Sequence, residues 1–333
     1  MLLSVLDQTP VPEGSTGPEA LQNTLDLARL ADRLGYHRYW LAEHHGLSLA
    51  GPAPEVLAGP VASATERIRV GSGGVMLPHY SPFKVAESFS LLAGLYPGRI
   101  DLALGRASGT DPLTAYALQR DRREVAPDDF PQQLAELLAH YDGTFPEDHP
   151  FARLGQSLPG NPERPEIWLL GSSAQSAVWA AQLDLPYAFA DFINPNGAEI
   201  VASYRERAAN PRTAIGVWAI CADTDEEAER LAASIAMSFA MLRRGRPIPV
   251  PRPERALRFL AQNGDPGSGR RRVVGSPETV RAGIEALAAE YGADEVIVVT
   301  ITHDHGARRR SYELIAETFG LAKRSPGLEV VDL

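Results

Sequence analysis

The sequence predicts a single closed (β/α)8 barrel with long loops inserted at the C-terminal face of its strands. Three observations carry this. Eight short apolar runs alternate with segments of helical spacing along the chain. Nearly every run ends in a residue able to do chemistry, and barrel enzymes gather such residues at the C-terminal ends of their strands. The 333 residues, 44% of them hydrophobic, lie within the length that α/β barrels occupy as one domain, here expected to span residues 1–333. A doubly wound open sheet gives the same alternation; the gathering of polar groups at strand ends favours the barrel.

Leu2 to Leu6 is an apolar strand ending in Asp7-Gln8-Thr9, and a Pro/Gly-rich loop follows to Gly17. Pro18 suits a helix start. Leu21, Leu25, Ala28 and Ala31 mark the buried face of that helix, and Gly35 ends it. Tyr39 to Ala42 is the second strand and runs into Glu43-His44-His45-Gly46; Pro54 to Ala64 is the second helix. The stretch from Arg67 to Asp111 is the centre of the pattern. Ile68 to Val75 is a glycine-bounded strand, and Pro82 opens a helix whose apolar positions Val85, Ala86, Phe89, Leu92 and Ala93 recur at threes and fours as far as Leu95. Ile100 to Leu104 is the fourth strand and delivers Gly105, Arg106 and Ser108 to its end. Parallel neighbours need a crossover helix of this kind.

Beyond Asp111 a polar, charge-rich segment reads as irregular through Asp129, Phe130 to Tyr141 as a helix, and Asp142 to Pro165 as an excursion rich in Pro, Gly and Asp. Glu166 to Leu170 is the fifth strand, entering Gly171-Ser172-Ser173 and a helix to Leu183. Tyr187 to Ala190 and Ala214 to Ala222 are strands on either side of a helix from Gly197 to Ala209. Thr224 and Glu227 have the spacing of a capping box, opening a helix to about Leu242. Arg243 to Val274, with five prolines, reads as a long irregular segment, of the sort that is functional or disordered in compact domains. A helix from Ser276 to Tyr291, the eighth strand from Glu295 to Thr300 and a helix from His305 to Phe319 complete the series.

The net charge of −10 argues against nucleic acid or an anionic membrane surface as partner, since both call for a basic face. A single cysteine, Cys221, excludes an internal disulfide and fits the reducing cytoplasm. The start MLLSVLDQTP has neither the basic region nor the apolar core of a signal peptide. No run of eighteen apolar residues, the length that a membrane span calls for, occurs in the sequence.

Arg106 with Ser172 and Ser173 at a helix start has the makings of a phosphate site. Free N–H groups of a first helical turn and a bidentate guanidinium both attract phosphate oxygens. A surface ion pair and an ordinary serine N-cap would leave the same residues. Glu43-His44-His45 offers a general base with a neighbour, or a hydrogen-bonded structural pair. Adjacent strand residues face opposite ways, so at most one of the two histidines reaches the barrel mouth easily. His303-Asp304-His305 alternates as two metal ligands would, without a further ligand set. Gly71-Ser72-Gly73-Gly74 lacks dinucleotide-binding spacing and fits a bulge or the close approach of a planar ligand.

Trp40-Leu41-Ala42-Glu43-His44-His45, then Val70-Gly71-Ser72-Gly73-Gly74-Val75-Met76-Leu77-Pro78, then Tyr96-Pro97-Gly98-Arg99-Ile100-Asp101-Leu102-Ala103-Leu104-Gly105-Arg106 stand in an order and spacing that resemble the bacterial luciferase-like flavin monooxygenases. The resemblance extends through Gly171-Ser172-Ser173 and Val274-Gly275-Ser276-Pro277-Glu278-Thr279 to near the C-terminus.

The resemblance implies a barrel that binds reduced FMN at its C-terminal mouth, takes it from a separate flavin reductase, and uses O2 to oxygenate a small organic substrate. By position, Arg106, Ser172, Ser173 and Ser176 would hold the phosphate. Gly73 and Gly74 would lie against the isoalloxazine, joined by a cis peptide. His44 matches the family's catalytic histidine, with Glu43 beside it, and residues 243–274 match its mobile active-site loop. A homodimer is expected. The same family fold serves F420-dependent dehydrogenases that transfer hydride, and F420 stays open as the alternative cofactor. A non-catalytic flavin-binding protein and, more remotely, a metal-dependent hydrolase also stay open. Ser172 stands where luciferase proper carries a carboxylate and Gly105 where it carries a cysteine, so neither light emission nor a long-chain aldehyde substrate is implied.

Overall fold

The computed structural model describes residues 1–46, 48–107, 110–123, 128–264 and 271–322. Its elements run β1 (Leu2–Asp7), α1 (Gly17–Leu34), β2 (Arg38–Leu41), α2 (Pro54–Ser63), β3 (Arg69–Met76), α3 (Pro82–Leu95), β4 (Ile100–Gly105), α4 (Pro112–Leu118), α5 (Phe130–Asp142), β5 (Glu166–Gly171) and α6 (Ala174–Gln182). They continue β6 (Tyr187–Ala190), α7 (Ala198–Arg207), β7 (Thr213–Cys221), α8 (Asp225–Arg243), α9 (Pro253–Asn263), β8 (Val273–Gly275), α10 (Pro277–Tyr291), β9 (Glu295–Val299) and α11 (His305–Thr318).

Each strand pairs in parallel with the next from β1 to β7, β7 pairs with β9, and β9 pairs with β1. The ring is therefore a closed eight-stranded barrel and not an open sheet. The ninth strand, β8, lies outside it. Val273 and Val274 extend the far end of β7 opposite Ala219 and Ile220.

Local chemistry explains where elements begin. At α1 the Thr16 hydroxyl accepts from the Glu19 N–H at 3.4 Å while the Glu19 carboxylate accepts from the Thr16 N–H at 2.9 Å, a reciprocal cap. At α8 only half of the expected box forms. Thr224 accepts from the Glu227 N–H at 3.2 Å, but the Glu227 carboxylate is taken by Arg230 at 2.7 Å. The polar segment after Asp111 holds a helix that periodicity missed, because α4 buries none of its residues; the Asp111 carboxylate caps it by accepting from the Leu113 and Thr114 N–H groups.

Residues 243–274 also differ from the irregular segment expected. The run of alternate prolines ends at Pro253, which begins α9, a helix that packs Ala256 against Ala233 and Met237 of α8. Residues 265–270 of this segment, and Ser108 at the end of β4, lie outside the described residues. The excursion between α5 and β5 is packed back on the barrel through Phe145 and Phe151, whose rings lie against buried His140.

Inside the barrel, inward-facing positions form layers, as closed parallel barrels require. The lowest layer is ionic. Arg38 of β2, 3% exposed, reaches Asp101 of β4 at 2.8 Å, Glu295 of β9 at 2.7 Å and Glu166 of β5 at 3.2 Å. Asp101 also accepts from the Trp40 indole at 2.9 Å and from the Arg69 Nε at 2.9 Å. The next layer is apolar, with Leu6, Trp40, Ala103, Trp168 and Ile297, the two indoles meeting edge to face at 5.4 Å.

Removing Arg38 would leave Glu295 without its cation and Asp101 with Arg69 alone. Arg38→Met is expected to cost about 3–5 kcal/mol of stability, measured by urea unfolding. Glu166 carries an acid-sensitivity of its own. Burial would raise its pKa, but Arg212, the Trp168 indole and Arg38 hold it down at about 2, below its ordinary 4.5. Its contribution is present above pH 4.5 and is lost as pH falls toward 2, so Glu166→Gln should flatten the unfolding midpoint across that window relative to the parent.

Candidate functional site

At the C-terminal end of the barrel the interior opens into a cavity of about 370 Å³. Its floor is the apolar layer, with Leu6, Trp40, Leu170 and Ile297 exposed to it; its wall includes Phe192 and Ile193 beyond β6. Strand ends supply its polar groups: His44 after β2, Arg106 after β4, and Ser172, Ser173 and Ser176 between β5 and the first turn of α6. Gly73 of β3 forms part of the wall.

Gly73 and Gly74 are glycines for want of space. A Cβ on Gly73 would stand 2.6 Å from Leu6 Cδ1 and 2.8 Å from the Trp40 Cβ; one on Gly74 would stand 2.5 Å from the Ala103 carbonyl oxygen. The peptide between them is cis, and the register of β3 against β4 shifts at this point. Gly74 itself is not among the residues that line the cavity; it sits behind Gly73, against β4 and Leu170.

The start of α6 concentrates hydrogen-bonding groups. The Ser173 hydroxyl accepts from the Ser176 N–H at 3.3 Å, and the Ser176 hydroxyl donates to the Ser173 carbonyl at 2.8 Å and meets the Tyr187 hydroxyl at 2.9 Å. The Ser172 carbonyl accepts from Asn194 at 3.0 Å. Arg106 leans over the Trp179 ring at 5.7 Å and pairs with Asp128 at 3.1 Å, yet remains 50% exposed. This places a half-exposed cation at the rim beside a helix N-terminus.

His44 and Glu43 part company as neighbours on a strand do. His44 lines the cavity. Glu43 turns away from it and is fully buried, accepting from the Met76 N–H at 2.8 Å and meeting His45 Nε2 at 3.1 Å. Burial pushes the Glu43 carboxyl up to about 7, against the opposing pull of the Met76 N–H and the Tyr80 hydroxyl. His303 and His305 do not converge: His303 Nε2 lies 3.1 Å from the Glu13 carbonyl oxygen and His305 Nε2 2.8 Å from Asp26. Among the described residues no group of three or more His, Cys, Asp or Glu could hold a metal ion, and no helix is long and apolar enough to cross a membrane.

Sequence reasoning did not assign Gln8, which lines the cavity from the end of β1. The signal was available in the alternation of the strand, where Leu6 faces in, Asp7 out and Gln8 in again.

The fit to a flavin phosphate rests on this donor set. A helix N-terminus with two serine hydroxyls and a half-exposed guanidinium suits a dianion, and the side-chain-free face of Gly73 above an apolar floor suits a planar ring.

Comparison with known proteins gives a family profile described as luciferase-like monooxygenase that matches residues 1–295. An N-acetyl-S-alkylcysteine monooxygenase of Bacillus subtilis is 37% identical, covering 97% of this chain and 99% of that protein. The crystal structure of apo-MsnO8 superposes with a TM-score of 0.89 at 42% identity, covering 97% of this chain and 99% of that one. The oxygenating constituent of 3,6-diketocamphane monooxygenase from Pseudomonas putida, solved in complex with FMN, shares the fold at 21% identity and a TM-score of 0.71, covering 95% and 97% of the two chains.

The raised carboxyl of Glu43 sets a pH dependence with a definite sign. The folded state holds this proton up to about pH 7 and the unfolded chain releases it near 4.5, so stability falls as pH rises through that interval. Glu43→Gln should remove this fall, seen as a flatter pH profile of the thermal unfolding midpoint between pH 5 and about 7.5.

Proposed function

Because the chain belongs to the luciferase-like monooxygenase family, we propose that it is an FMN-dependent monooxygenase, in which reduced FMN delivered by a separate flavin reductase and O2 oxygenate a small organic substrate. The observation that carries this reading is that His44, Arg106, Ser172, Ser173 and Ser176, drawn from three strand ends, line one cavity.

Arg106 and the first turn of α6, with the hydroxyls of Ser172, Ser173 and Ser176, hold the phosphate. Gly73, backed by Gly74, gives the ring a wall without side chains. Bound reduced FMN supplies the electrons with which one atom of O2 enters the substrate and the other leaves as water. The protein's part is placement, exclusion of water and proton transfer. The apolar floor of Leu6, Trp40 and Leu170 keeps bulk water from the reacting face. An imidazole nitrogen of His44 gives and takes the proton that the oxygen transfer requires. Glu43 holds the strand end from behind through Met76, which itself lines the cavity. The protein works as a homodimer in the cytoplasm.

Titration of the purified protein with FMN and with F420 tests the cofactor; binding of F420 alone would replace this reading with hydride transfer, and tight FMN binding without oxygen consumption would replace it with flavin storage. Arg106→Ala should weaken FMN by about tenfold or more while leaving riboflavin nearly unaffected, and equal losses for both would remove the phosphate role. His44→Ala should keep FMN binding while product formation falls by roughly 10²–10⁴ and hydrogen peroxide release rises. Unchanged product formation would take His44 out of the mechanism.

A further inference from the structure

Among the described residues that line the cavity, Gln8 is the one carboxamide. It is only 8% exposed, and its amide makes no hydrogen bond to another described residue. Neither amide atom is among the buried side-chain atoms left without a partner, so the amide opens onto the cavity, where a ligand can take the place of water.

Its direction is not accidental. The preceding residue, Asp7, faces outward and is fully buried, held by the Thr24 hydroxyl at 2.7 Å, the Tyr39 hydroxyl at 2.5 Å, the Arg308 guanidinium at 2.6 Å and the Thr9 N–H at 2.7 Å. With Asp7 fixed on the helix side, strand alternation sends Gln8 inward.

Its place in the ring is also fixed. In the closed order β1 and β5 stand four strands apart on either side, so Gln8 faces the α6 phosphate site from the opposite wall. Between them Gly73 on β3 lies close enough to Leu6 of β1 that a Cβ would collide with it. The phosphate arm of FMN joins the isoalloxazine at N10 of its central ring, so a phosphate held at Arg106 and Ser173, with the ring along Gly73, leaves either end of its long axis free to reach β1. The two ends of an isoalloxazine differ: one carries methyl groups on a benzenoid ring, the other an imide edge of carbonyl, N–H and carbonyl. A carboxamide, donor and acceptor at once, complements the imide edge. Leu6, Ala42 and Ile297 beside it can pair with neither.

We infer that Gln8 binds the pyrimidine end of the flavin, its amide oxygen accepting the N3–H and its amide nitrogen donating to a flanking carbonyl. This rests on the FMN reading above, and it fixes which end of the ring faces β1.

The test is equilibrium titration of the parent protein and of Gln8→Met with oxidised FMN and with 3-methyl-FMN, in which a methyl group replaces the N3 proton. Methionine keeps the volume of glutamine and leaves the Asp7 network untouched, and a thermal unfolding midpoint near that of the parent confirms the fold; Gln8→Asn serves as a second variant should Gln8→Met fail to fold. The parent should prefer FMN to 3-methyl-FMN by about tenfold, and the variant should bind FMN about tenfold more weakly with that preference gone. A parent that binds both flavins alike, or a variant that retains the preference, would overturn the role of Gln8 while leaving the FMN reading in place. A parent that binds neither flavin would overturn the FMN reading and this assignment with it.

Discussion

The buried ion cluster around Arg38 is the constraint on which the rest of this barrel depends. A guanidinium inside a closed sheet is tolerable only with its charge and its donors answered, and Asp101, Glu295 and Glu166 come to it from three other strands. Burial alone would disfavour its charge, but Asp101 and Glu295 more than compensate, so the cation is held more firmly than in water. Trp40 and Trp168 lie against this cluster, each with the Arg38 guanidinium near its ring. Their bulk seals the lower barrel, and Trp40 forms part of the floor of the cavity. The same crowding dictates glycine on the inner face of β3, where a Cβ at position 71 would stand 2.1 Å from the Asp101 carbonyl oxygen and one at position 73 would meet Leu6 and Trp40. The flat wall offered to a ligand is thus a consequence of how the interior is filled below it.

A second regularity governs the rim. Three strands end in a buried carboxylate facing the helices followed by a residue facing the cavity: Asp7 then Gln8, Glu43 then His44, Asp191 then Phe192. Asp7 is held by Arg308 and two hydroxyls and Glu43 by the Met76 N–H, while Asp191 accepts from the Tyr291 hydroxyl at 2.8 Å through one oxygen and leaves the other without a hydrogen bond to a described residue. Each carboxylate pins a strand end to the surrounding shell, and the pleat then aims its neighbour inward. Rigid placement of this kind is what a site needs when its contribution is orientation and proton transfer rather than covalent chemistry.

Much of this was legible residue by residue. The apolar runs and helical spacings gave all eight barrel strands and their helices within a residue or two, because buried parallel strands and amphipathic helices write their periods directly into the chain. His44, Arg106, Ser172, Ser173 and Gly73 stand out by their position at the ends of such runs and Ser176 by the family resemblance, and all six line one cavity. What escaped detection shares a physical cause. The helix α4 buries nothing and so has no apolar stripe; α9 hides among prolines that suggest a loop; Gln8 stands in a strand end whose polar residues look alike until their facing is known. Thr224 and Glu227 have box spacing, but Arg230 competes for the carboxylate.

The sequence by itself determined the alternation of strands and helices, the family, and which residue types stand at the strand ends, since all of these depend on neighbours a few positions apart. Only the tertiary structure decided that Arg38 meets Glu295 across 257 residues, and which of Glu43 and His44 turns toward the cavity. Those outcomes belong to contacts between strands distant in the chain, where burial of charge and the shortage of room beside two tryptophans leave one arrangement standing.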